Sequence, residues 1–505
     1  MTNNPQIPVP EKVTVPAPEM QKRDGIFLLI ALFGCLLAAN GFYVGGLRLG
    51  FAVAACILLF TALLYLRKKA HVTPLCILSL SSAVTVLVSF GIHEVTAFAP
   101  FKLLFLLLAI SVFAVSAYGT RAPSLDDFRA LLSPFYLFIG GSCAGIGTTA
   151  KSLAANGSGR MKKIAKILLA LGISLPLLGV LTVLLVFADR AFEAFIDSID
   201  LDFGEVFYTL FFGSLTVLFL IPLLFVIAKD RVRLTASKRR PYLSVLEALP
   251  VNTVLIAVSL LYLVYLGTQL SYCIGGFAGL LPEDYTYADY ARRGFFEICV
   301  ISAINLCILL AVQFFVRRDE QKTPPLGTRL LSAFISVFSM FLIASAIAKM
   351  LLYIRTYGLT FLRLGTSLFM LLLFVIFAAM ILGSFVRGFK TMRVILASAC
   401  ILMAVTAAIE PYTVIANYNL YAYESGMHDA YELDTRYLAS SCGDYGVRAL
   451  VTLADDENED VARRAKDRLE NMHNRYYYHE SDLDLREMTL VRYRARKVLA
   501  DYYAE

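Results

Sequence analysis

The sequence predicts an all-α polytopic membrane protein with about eleven transmembrane helices and a small helical C-terminal extramembrane domain. Hydrophobic residues make up 58% of the 505-residue chain, and the mean hydropathy of +0.68 is above that of soluble proteins. Apolar stretches of about 20 residues, long enough to cross a bilayer as a helix, recur along most of the chain. The loops between them are alternately rich and poor in basic residues, which is typical of multi-spanning proteins.

The apolar stretches give the boundaries of the predicted spans. They fall near residues 25–45, 47–66, 73–92, 98–118, 164–187, 206–228, 251–275, 295–316, 329–352, 364–386 and 392–415. Residues 134–149 are shorter, rich in glycine and polar at their end, so we expect an interfacial or re-entrant segment there. If this segment also crossed the membrane, the orientation of every later loop would be reversed.

The distribution of charge predicts the orientation of the chain. Basic residues concentrate in alternate loops, beginning with Arg67, Lys68 and Lys69, whereas the intervening loop 189–205 is strongly acidic. Because basic loops remain in the cytoplasm, the N-terminus is expected inside and the C-terminus outside. The predicted regions are a disordered cytoplasmic tail over 1–24, a transmembrane domain over 25–415 and an extracytoplasmic helical domain over 416–505.

Three helices are predicted in the C-terminal domain. Asn458 is a candidate N-cap for a helix ending near Met472. Apolar residues recur every four positions in it and predict one buried stripe. These residues are Val461, Ala465 and Leu469. A second helix is expected over about Leu485–Tyr503, and a short one over Leu433–Ser440. The candidate core of the second helix is Leu490, Tyr493, Val498 and Tyr502.

Several function classes lack their sequence signals. The chain has no GxxxxGK[ST], HExxH, GxSxG or paired CxxC motif, so a soluble-enzyme chemistry is not indicated and an enzymatic role is left open. No cofactor and no metal site are expected. The net charge of +7 is spread over short loops rather than gathered in one patch, which argues against nucleic acid as a partner. The lipid bilayer is the one partner that the composition directly predicts.

Polar and aromatic residues cluster at the predicted outer ends of the spans. Arginine suits an anionic group, and the carboxylates there would pair with arginine or carry protons. Pro411 is expected to break the last spanning helix next to Glu410. We therefore predict an outward-facing polar pocket for an anionic ligand or an envelope protein partner. Its candidate residues are Asp189, Arg190, Tyr290, Arg292, Arg293, Glu297, Lys349, Tyr353, Arg355, Tyr357, Arg363, Glu410, Asn417 and Asn419.

A plainer interpretation of these residues remains open. Arginine and tyrosine at helix ends often anchor a protein at the membrane surface without forming a site. Lys349 lies in an apolar stretch, where it is either a lysine that extends to the interface or a counter-ion for Glu297 or Glu410.

The same clusters resemble an uncharacterised family of bacterial multi-spanning proteins, the domain of unknown function 4173, which is related to 4153. The resemblance covers roughly residues 160–455. It is carried by Ala188-Asp189 with Phe192, Tyr290 through Glu297 followed by Asn305, Tyr353 through Arg363, Glu410-Pro411, Asn417-Tyr418-Asn419 and Leu433 through Leu438. Lys349 stands where the family would have arginine, and Glu410-Pro411 where it would have Asn-Pro. The resemblance implies this fold in a bacterial plasma membrane and implies no reaction.

Three functions are compatible with the sequence. An envelope sensor or scaffold would use the outer domain and pocket to report to the basic cytoplasmic loops. A transporter or permease for a small or anionic solute would need a polar path across the bilayer. A membrane-embedded enzyme acting on lipid or cell-wall precursors would need carboxylates and arginines that converge outside. The scarcity of catalytic motifs favours the sensor or scaffold.

Overall fold

The computed structural model describes most of the chain. The described ranges are 21–118, 128–132, 134–155, 177–182, 184–190, 203–229, 246–277, 295–317, 324–429, 433–479 and 484–504, with isolated positions between them. Within these ranges the chain is helical and forms no β-strand, which confirms the predicted all-α class.

Ten helices in the described ranges are long and apolar enough to cross a membrane. They are α1 (Lys22–Gly45), α2 (Leu49–Leu66), α3 (Pro74–Ile92), α4 (Ala99–Tyr118), α6 (Phe203–Ala228), α7 (Ala248–Phe277), α8 (Phe295–Phe315), α9 (Leu326–Tyr357), α10 (Phe361–Phe385) and α11 (Thr391–Ile409). About half of the predicted span at 164–187 lies outside the described residues, and the described part includes a shorter apolar helix, Leu177–Ala188. The predicted number of eleven spans therefore stays a prediction.

The glycine-rich segment at 134–149 is helical and packs against α6. A π-helix over Phe135–Gly141 continues into α5 (Ser142–Ala155). A Cβ atom on Gly145 would lie 2.6 Å from the Pro222 carbonyl oxygen, so only glycine permits this approach of the two backbones. Gly145 therefore allows the two helices to pack closely. The segment is not among the helices that are long and apolar enough to span the membrane.

The spanning helices pack against one another in two groups, one from each half of the chain. In the first half of the chain, α1 lies between α2 and α6, and α3 packs against α2 and α4. In the second half, α9 contacts α7, α8 and α10. Helix α11 joins the halves, because it packs against both α3 and α10 and its Cys400 carbonyl accepts a 3.0 Å hydrogen bond from the Ser82 hydroxyl.

The last spanning helix breaks where the sequence predicted. Helix α11 ends at Ile409, and α12 (Pro411–Glu424) begins one residue after Glu410. Glu410 has φ +63°, the one positive φ of a non-glycine residue among the described positions. Proline at the first position of α12 favours a new helix start, because it has no N–H to satisfy. Helix α12 also runs across the predicted domain boundary at 416.

The described part of the C-terminal domain contains four α-helices after α12. They are α13 (Thr435–Ser440), α14 (Val447–Ala454), α15 (Glu459–His479) and α16 (Leu490–Ala504). Asn458 accepts hydrogen bonds from the backbone of Asp460 and Val461, as a capping residue does. The predicted stripe of α15 is confirmed, since Val461, Ala465 and Leu469 are all completely buried.

The expected core of α16 is partly wrong. Leu490 and Tyr493 are 41% and 57% exposed, and Ala495 and Leu499 form the buried face instead. The physical reason is the start of the helix. Residues Leu485–Glu487 form a separate 3₁₀ turn capped by Asp484, so α16 begins at Leu490 and turns a different face inward. Val498 and Tyr502 do pack against the core, as expected.

Candidate functional site

A buried ion pair lies where α4 meets the break between α11 and α12. The Lys102 ammonium nitrogen is 2.5 Å from Oε2 of Glu410. Lys102 is 1% exposed and Glu410 is 0% exposed. The Thr96 hydroxyl donates a 2.9 Å hydrogen bond to Oε1 of the same carboxylate. Charges sealed in an apolar interior are stable only when paired, so each residue depends on the other.

Aromatic rings enclose the lysine side of the pair. The Lys102 nitrogen lies 5.7 Å from the centre of the Phe90 ring and 5.6 Å from that of Phe98. Ring faces attract a cation at such distances, and the attraction increases where water is excluded. The lysine is therefore held by one carboxylate and two rings.

The backbone at Glu410 is strained yet well bonded. A non-glycine residue at φ +63° costs energy, which surrounding contacts must offset. The Glu410 N–H still donates to the Thr406 carbonyl at 2.9 Å, and the Thr413 N–H donates to the Glu410 carbonyl at 3.1 Å. The ion pair adds a side-chain anchor to this backbone, so the break and the charge pair stabilise one another.

His93 connects the end of α3 to the same break. Its Nε2 is 3.1 Å from the Ala408 carbonyl, which can only accept, so Nε2 carries the proton. Burial and the nearby Lys102 lower the pKa of His93, and the ring is therefore neutral at pH 7. A neutral imidazole beside the lysine adds no second positive charge to the interior.

Tyr445 of the C-terminal domain contacts the residues around the helix break. Its hydroxyl accepts a 2.9 Å hydrogen bond from the Glu94 N–H, at the end of α3. Its ring lies 6.3 Å from His93 and 6.4 Å from Tyr412 of α12. One side chain of the C-terminal domain thus contacts the helix ends on both sides of the ion pair.

Phe361, the first residue of α10, joins the ion pair to the C-terminal domain. Its ring stacks on Tyr412 at 5.3 Å with an interplanar angle of 4° and meets the Phe98 ring at 6.3 Å. Its N–H donates to the Tyr437 hydroxyl at 2.9 Å. The aromatic network, which we define as Phe98, Phe361, Tyr412, Tyr437 and Tyr445, therefore runs from the lysine to the C-terminal domain.

The turn between α9 and α10 is clamped by one amide side chain. Asn419 of α12 accepts from the Leu359 N–H at 2.7 Å and donates to the Leu359 carbonyl at 2.9 Å. Gly358 has φ +75°, and a Cβ atom there would lie 3.0 Å from the Asn419 side-chain oxygen. Glycine and asparagine together therefore set the path of this turn.

Charged and aromatic residues surround the same turn. The Arg363 guanidinium donates to the Tyr357 carbonyl at 2.7 Å and lies 4.1 Å from the centre of the Tyr353 ring. His428 lies with Nε2 2.8 Å from the Arg355 carbonyl. Both hydrogen bonds that the structure describes for the Arg363 guanidinium go from Nη1 to backbone carbonyls, those of Tyr357 and Gly358, so this nitrogen holds the turn.

A first polar contact fixes the C-terminal domain on α2 and α3. The Arg48 guanidinium donates to Oε1 of Glu94 at 2.7 Å, and the Thr489 hydroxyl donates to Oε2 at 3.0 Å. Glu94 is thus shared between the membrane helices and the start of α16. Its backbone is already bound to Tyr445, so this short segment carries several of the contacts between the two regions.

A second polar contact lies at the C-terminal end of α1 and the N-terminal end of α6. Arg486 donates to Glu205 at 2.7 Å and to the Asn40 side-chain oxygen at 2.6 Å. Asp484 accepts from the same guanidinium, and these hydrogen bonds lower the pKa of the Asp484 carboxyl. A Cβ atom on Gly45 would lie 2.3 Å from the Arg486 carbonyl, so the turn sits directly on the α1 backbone.

The structure separates the predicted pocket residues into distinct groups. It gathers five around the α9–α10 turn: Tyr353, Arg355, Tyr357, Arg363 and Asn419. Glu410 lies in the ion pair with Lys102. Exposed residues are Asp189, Arg190, Glu297 and Asn417, and Lys349 is half-buried on α9. Tyr290, Arg292 and Arg293 lie outside the described residues.

The expected counter-ion of Glu410 is corrected to Lys102. Sequence reasoning considered Lys349 and the arginines, and it missed Lys102, His93 and Tyr445. The signal for Lys102 was present, because it is a charged residue inside the apolar stretch 98–118. The partner was not readable, because hydropathy does not say which faces of two distant helices meet.

Three large cavities of the described region have apolar walls, and two of them adjoin α4. One, of about 420 Å³, lies between α1, α2, α4 and α6. The other, of about 330 Å³, lies between α4, α10 and α11 and has Phe98, Phe361 and Pro411 in its wall. Within the described residues, no group of histidine, cysteine, aspartate and glutamate is arranged to hold a metal ion.

Replacing Asn419 tests the clamp on the α9–α10 turn. We expect Asn419→Ala to destabilise the protein by about 1–3 kcal/mol, because it leaves the Leu359 N–H and carbonyl without their partner. Asn417→Ala is the matched control, since this exposed neighbour lies on the same helix. Thermal unfolding in detergent measures both variants, and equal stability of the two would contradict the assigned role.

One protein-family model matches most of the chain. The family described as domain of unknown function (DUF4153) matches residues 54–453, a stretch that includes Lys102, Glu410 and Tyr445. No curated protein and no solved structure matches the chain. The resemblance drawn from the sequence named the 4173 family first, and the match is to its relative. The chain therefore belongs to the uncharacterised family of the domain of unknown function DUF4153.

Proposed function

We propose that this protein is an envelope sensor of the bacterial plasma membrane. Its C-terminal domain lies outside the cell, its N-terminus lies in the cytoplasm, and the state of the domain is transmitted to the helical bundle. The observation that carries the proposal is the buried Lys102–Glu410 pair at a helix break, directly beneath Tyr445.

The contacts around the break support a transmitting role. A switch needs an element with two arrangements whose balance a bound partner changes. Glu410 provides a strained hinge, and the aromatic network couples it to the C-terminal domain. Helix α11 runs from this hinge to the opposite end of the bundle, where Lys390 precedes its first residue. A shift at the hinge would therefore reach the basic loop expected in the cytoplasm.

The α9–α10 turn indicates what kind of partner the sensor would bind. Arg355 is exposed and Arg363 is half-buried beside Tyr353, so this surface is suited to an anionic ligand or an acidic face of an envelope protein. Asn419 links the turn to α12, which starts at the hinge. A partner bound at the turn would act on the same helix as the ion pair.

Transport of a small solute is the second candidate. The broken helix and the buried charges favour it, because transporters often bind their substrates at such breaks. The apolar walls of the large cavities in the described region favour the sensor, since a polar solute needs polar groups along its path. Uptake by proteoliposomes would separate the two functions.

An enzyme that attacks lipid or cell-wall precursors has no specific support in the described geometry.

Protease treatment of intact cells tests the proposed orientation. A membrane-impermeant protease should cleave the C-terminal domain at exposed sites such as Arg463 and Lys466. The basic turn at Arg67–Lys69 should be cut only after the cells are opened. Cleavage in the reverse order would place the domain in the cytoplasm and rule out an envelope sensor.

Hydrogen exchange at the helix break tests the transmitting role. Tyr445→Phe keeps the ring but removes the hydroxyl that accepts from the Glu94 N–H. We expect the N–H groups of Glu410 and Thr413 to exchange about fivefold faster, because one hydrogen bond contributes about 1 kcal/mol. Mass spectrometry of the full-length protein in detergent gives the measurement.

Two further variants make that experiment decisive. Tyr493→Phe alters an exposed tyrosine of α16 and should change nothing at the break. Arg486→Gln loosens the contact with Glu205 at α1 and α6 and should speed exchange at the break in the same direction as Tyr445→Phe. If both Tyr445→Phe and Arg486→Gln affect only the C-terminal domain, the proposed coupling is absent.

A further inference from the structure

The larger apolar cavity runs along most of the bundle. Its wall on α6 extends from Tyr208 to Ile227, about 28 Å at the rise of an α-helix. This length is close to the roughly 30 Å of hydrocarbon in a bilayer. With a volume of about 420 Å³, the cavity is long and narrow. Its shape and depth therefore match an extended acyl chain rather than a compact solute.

The walls of the cavity are almost entirely hydrocarbon. Cys35 of α1, Ala55 and Leu58 of α2, and Phe138 of the π-helix are representative lining residues. None of them offers a charged group to a ligand. A lipid chain that enters an apolar cavity at membrane depth makes favourable van der Waals contacts with the side chains of the walls. Without it, those side chains lack contacts on the side of the cavity.

One end of the cavity is next to basic side chains. Leu66 of α2 lines that end, and the 3₁₀ turn that follows it carries the exposed Arg67 and Lys68. The nearby acidic residue, Asp24, is buried and already bound to Lys229 at 2.8 Å and to the Tyr65 hydroxyl at 2.8 Å. Among the described residues, the exposed charge at this end is therefore positive and suits a phosphate headgroup.

We propose that this cavity is a binding site for an anionic phospholipid. One acyl chain lies in the cavity between α1, α2, α4 and α6, and the headgroup phosphate lies against Arg67 and Lys68. The site is distinct from the α9–α10 turn and from the Lys102–Glu410 pair, and it does not depend on a sensing role. The bound lipid would complete the packing of the first half of the bundle.

The absence of tryptophan from the chain allows a direct test. Phe138→Trp places a single fluorophore in the cavity wall, and Phe135→Trp places one on the same π-helix at a position 65% exposed. Each full-length variant is reconstituted in vesicles with brominated phosphatidylglycerol or brominated phosphatidylcholine, whose bromine atoms quench nearby tryptophan. We expect the Phe138→Trp fluorophore to be quenched preferentially by phosphatidylglycerol, and the Phe135→Trp fluorophore to show no preference.

Substitutions at the two ends of the proposed ligand complete the test. Arg67→Gln and Lys68→Gln, each added to Phe138→Trp, should reduce the preference about fivefold, given the contribution of one basic residue near an anionic surface. Lys390→Gln, at another exposed basic position, should leave it unchanged. Ala55→Phe should abolish quenching by filling the cavity, whereas Val53→Phe, on the half-exposed face of α2, should not.

The outcomes either support or overturn the proposal. Gel filtration first confirms that each variant is folded. Equal quenching of Phe138→Trp by the two lipids would overturn the anionic site. Quenching that survives Ala55→Phe would show that the lipid lies outside the cavity, and the absence of any quenching would show that no lipid enters it.

Discussion

Lys102 and Glu410 are oppositely charged side chains enclosed in an apolar bundle, and neither is stable there without the other. Transfer of a single charge from water to such an interior costs several kcal/mol, and a close partner recovers much of that cost. The pair also ties together three parts of the chain. Lys102 belongs to α4, Glu410 separates α11 from α12, and Thr96 lies in the connection before α4. The arrangement of the bundle around the break depends on this one contact.

The C-terminal domain packs against the residues that surround the Lys102–Glu410 pair and is not joined to the membrane region by the chain alone. Tyr445 reaches the ion pair through His93 and Tyr412, and Tyr437 reaches it through Phe361. Glu94 and Arg486 hold the domain at two further places on the bundle. A domain joined in this way cannot change position without altering the contacts of the break. This is the physical basis for the proposal that the protein senses events at the membrane surface.

The class of fold and several local features were predictable because they depend on hydropathy and local signals. The predicted spans, the break at Pro411, the cap at Asn458 and the stripe through Leu469 all arise from residues close in sequence. The length of α14 is only eight residues, which is too short for the periodic pattern to stand out. The inward face of α16 was misjudged, because its register depends on the turn that precedes it.

The composition of the candidate site was less predictable, because it depends on contacts between distant segments. Arginines were expected to meet Glu410, yet Arg363 binds carbonyls of its own turn and Lys102 comes from a helix 308 residues earlier. A lone lysine in an apolar stretch indicates that a buried partner exists, but the sequence does not identify that partner. Asn419 was identified as a candidate, but its function as a backbone clamp required the position of Leu359.

A double-mutant cycle on Lys102 and Glu410 tests the account most directly. The free energy of unfolding is measured in detergent for Lys102→Met, Glu410→Gln and the double variant. Each single change should destabilise the protein by about 3–5 kcal/mol, because it leaves a buried charge without its partner. The double variant should recover most of that loss, since no charge remains. Additive losses, or single variants as stable as the natural protein, would contradict the central place given to this pair.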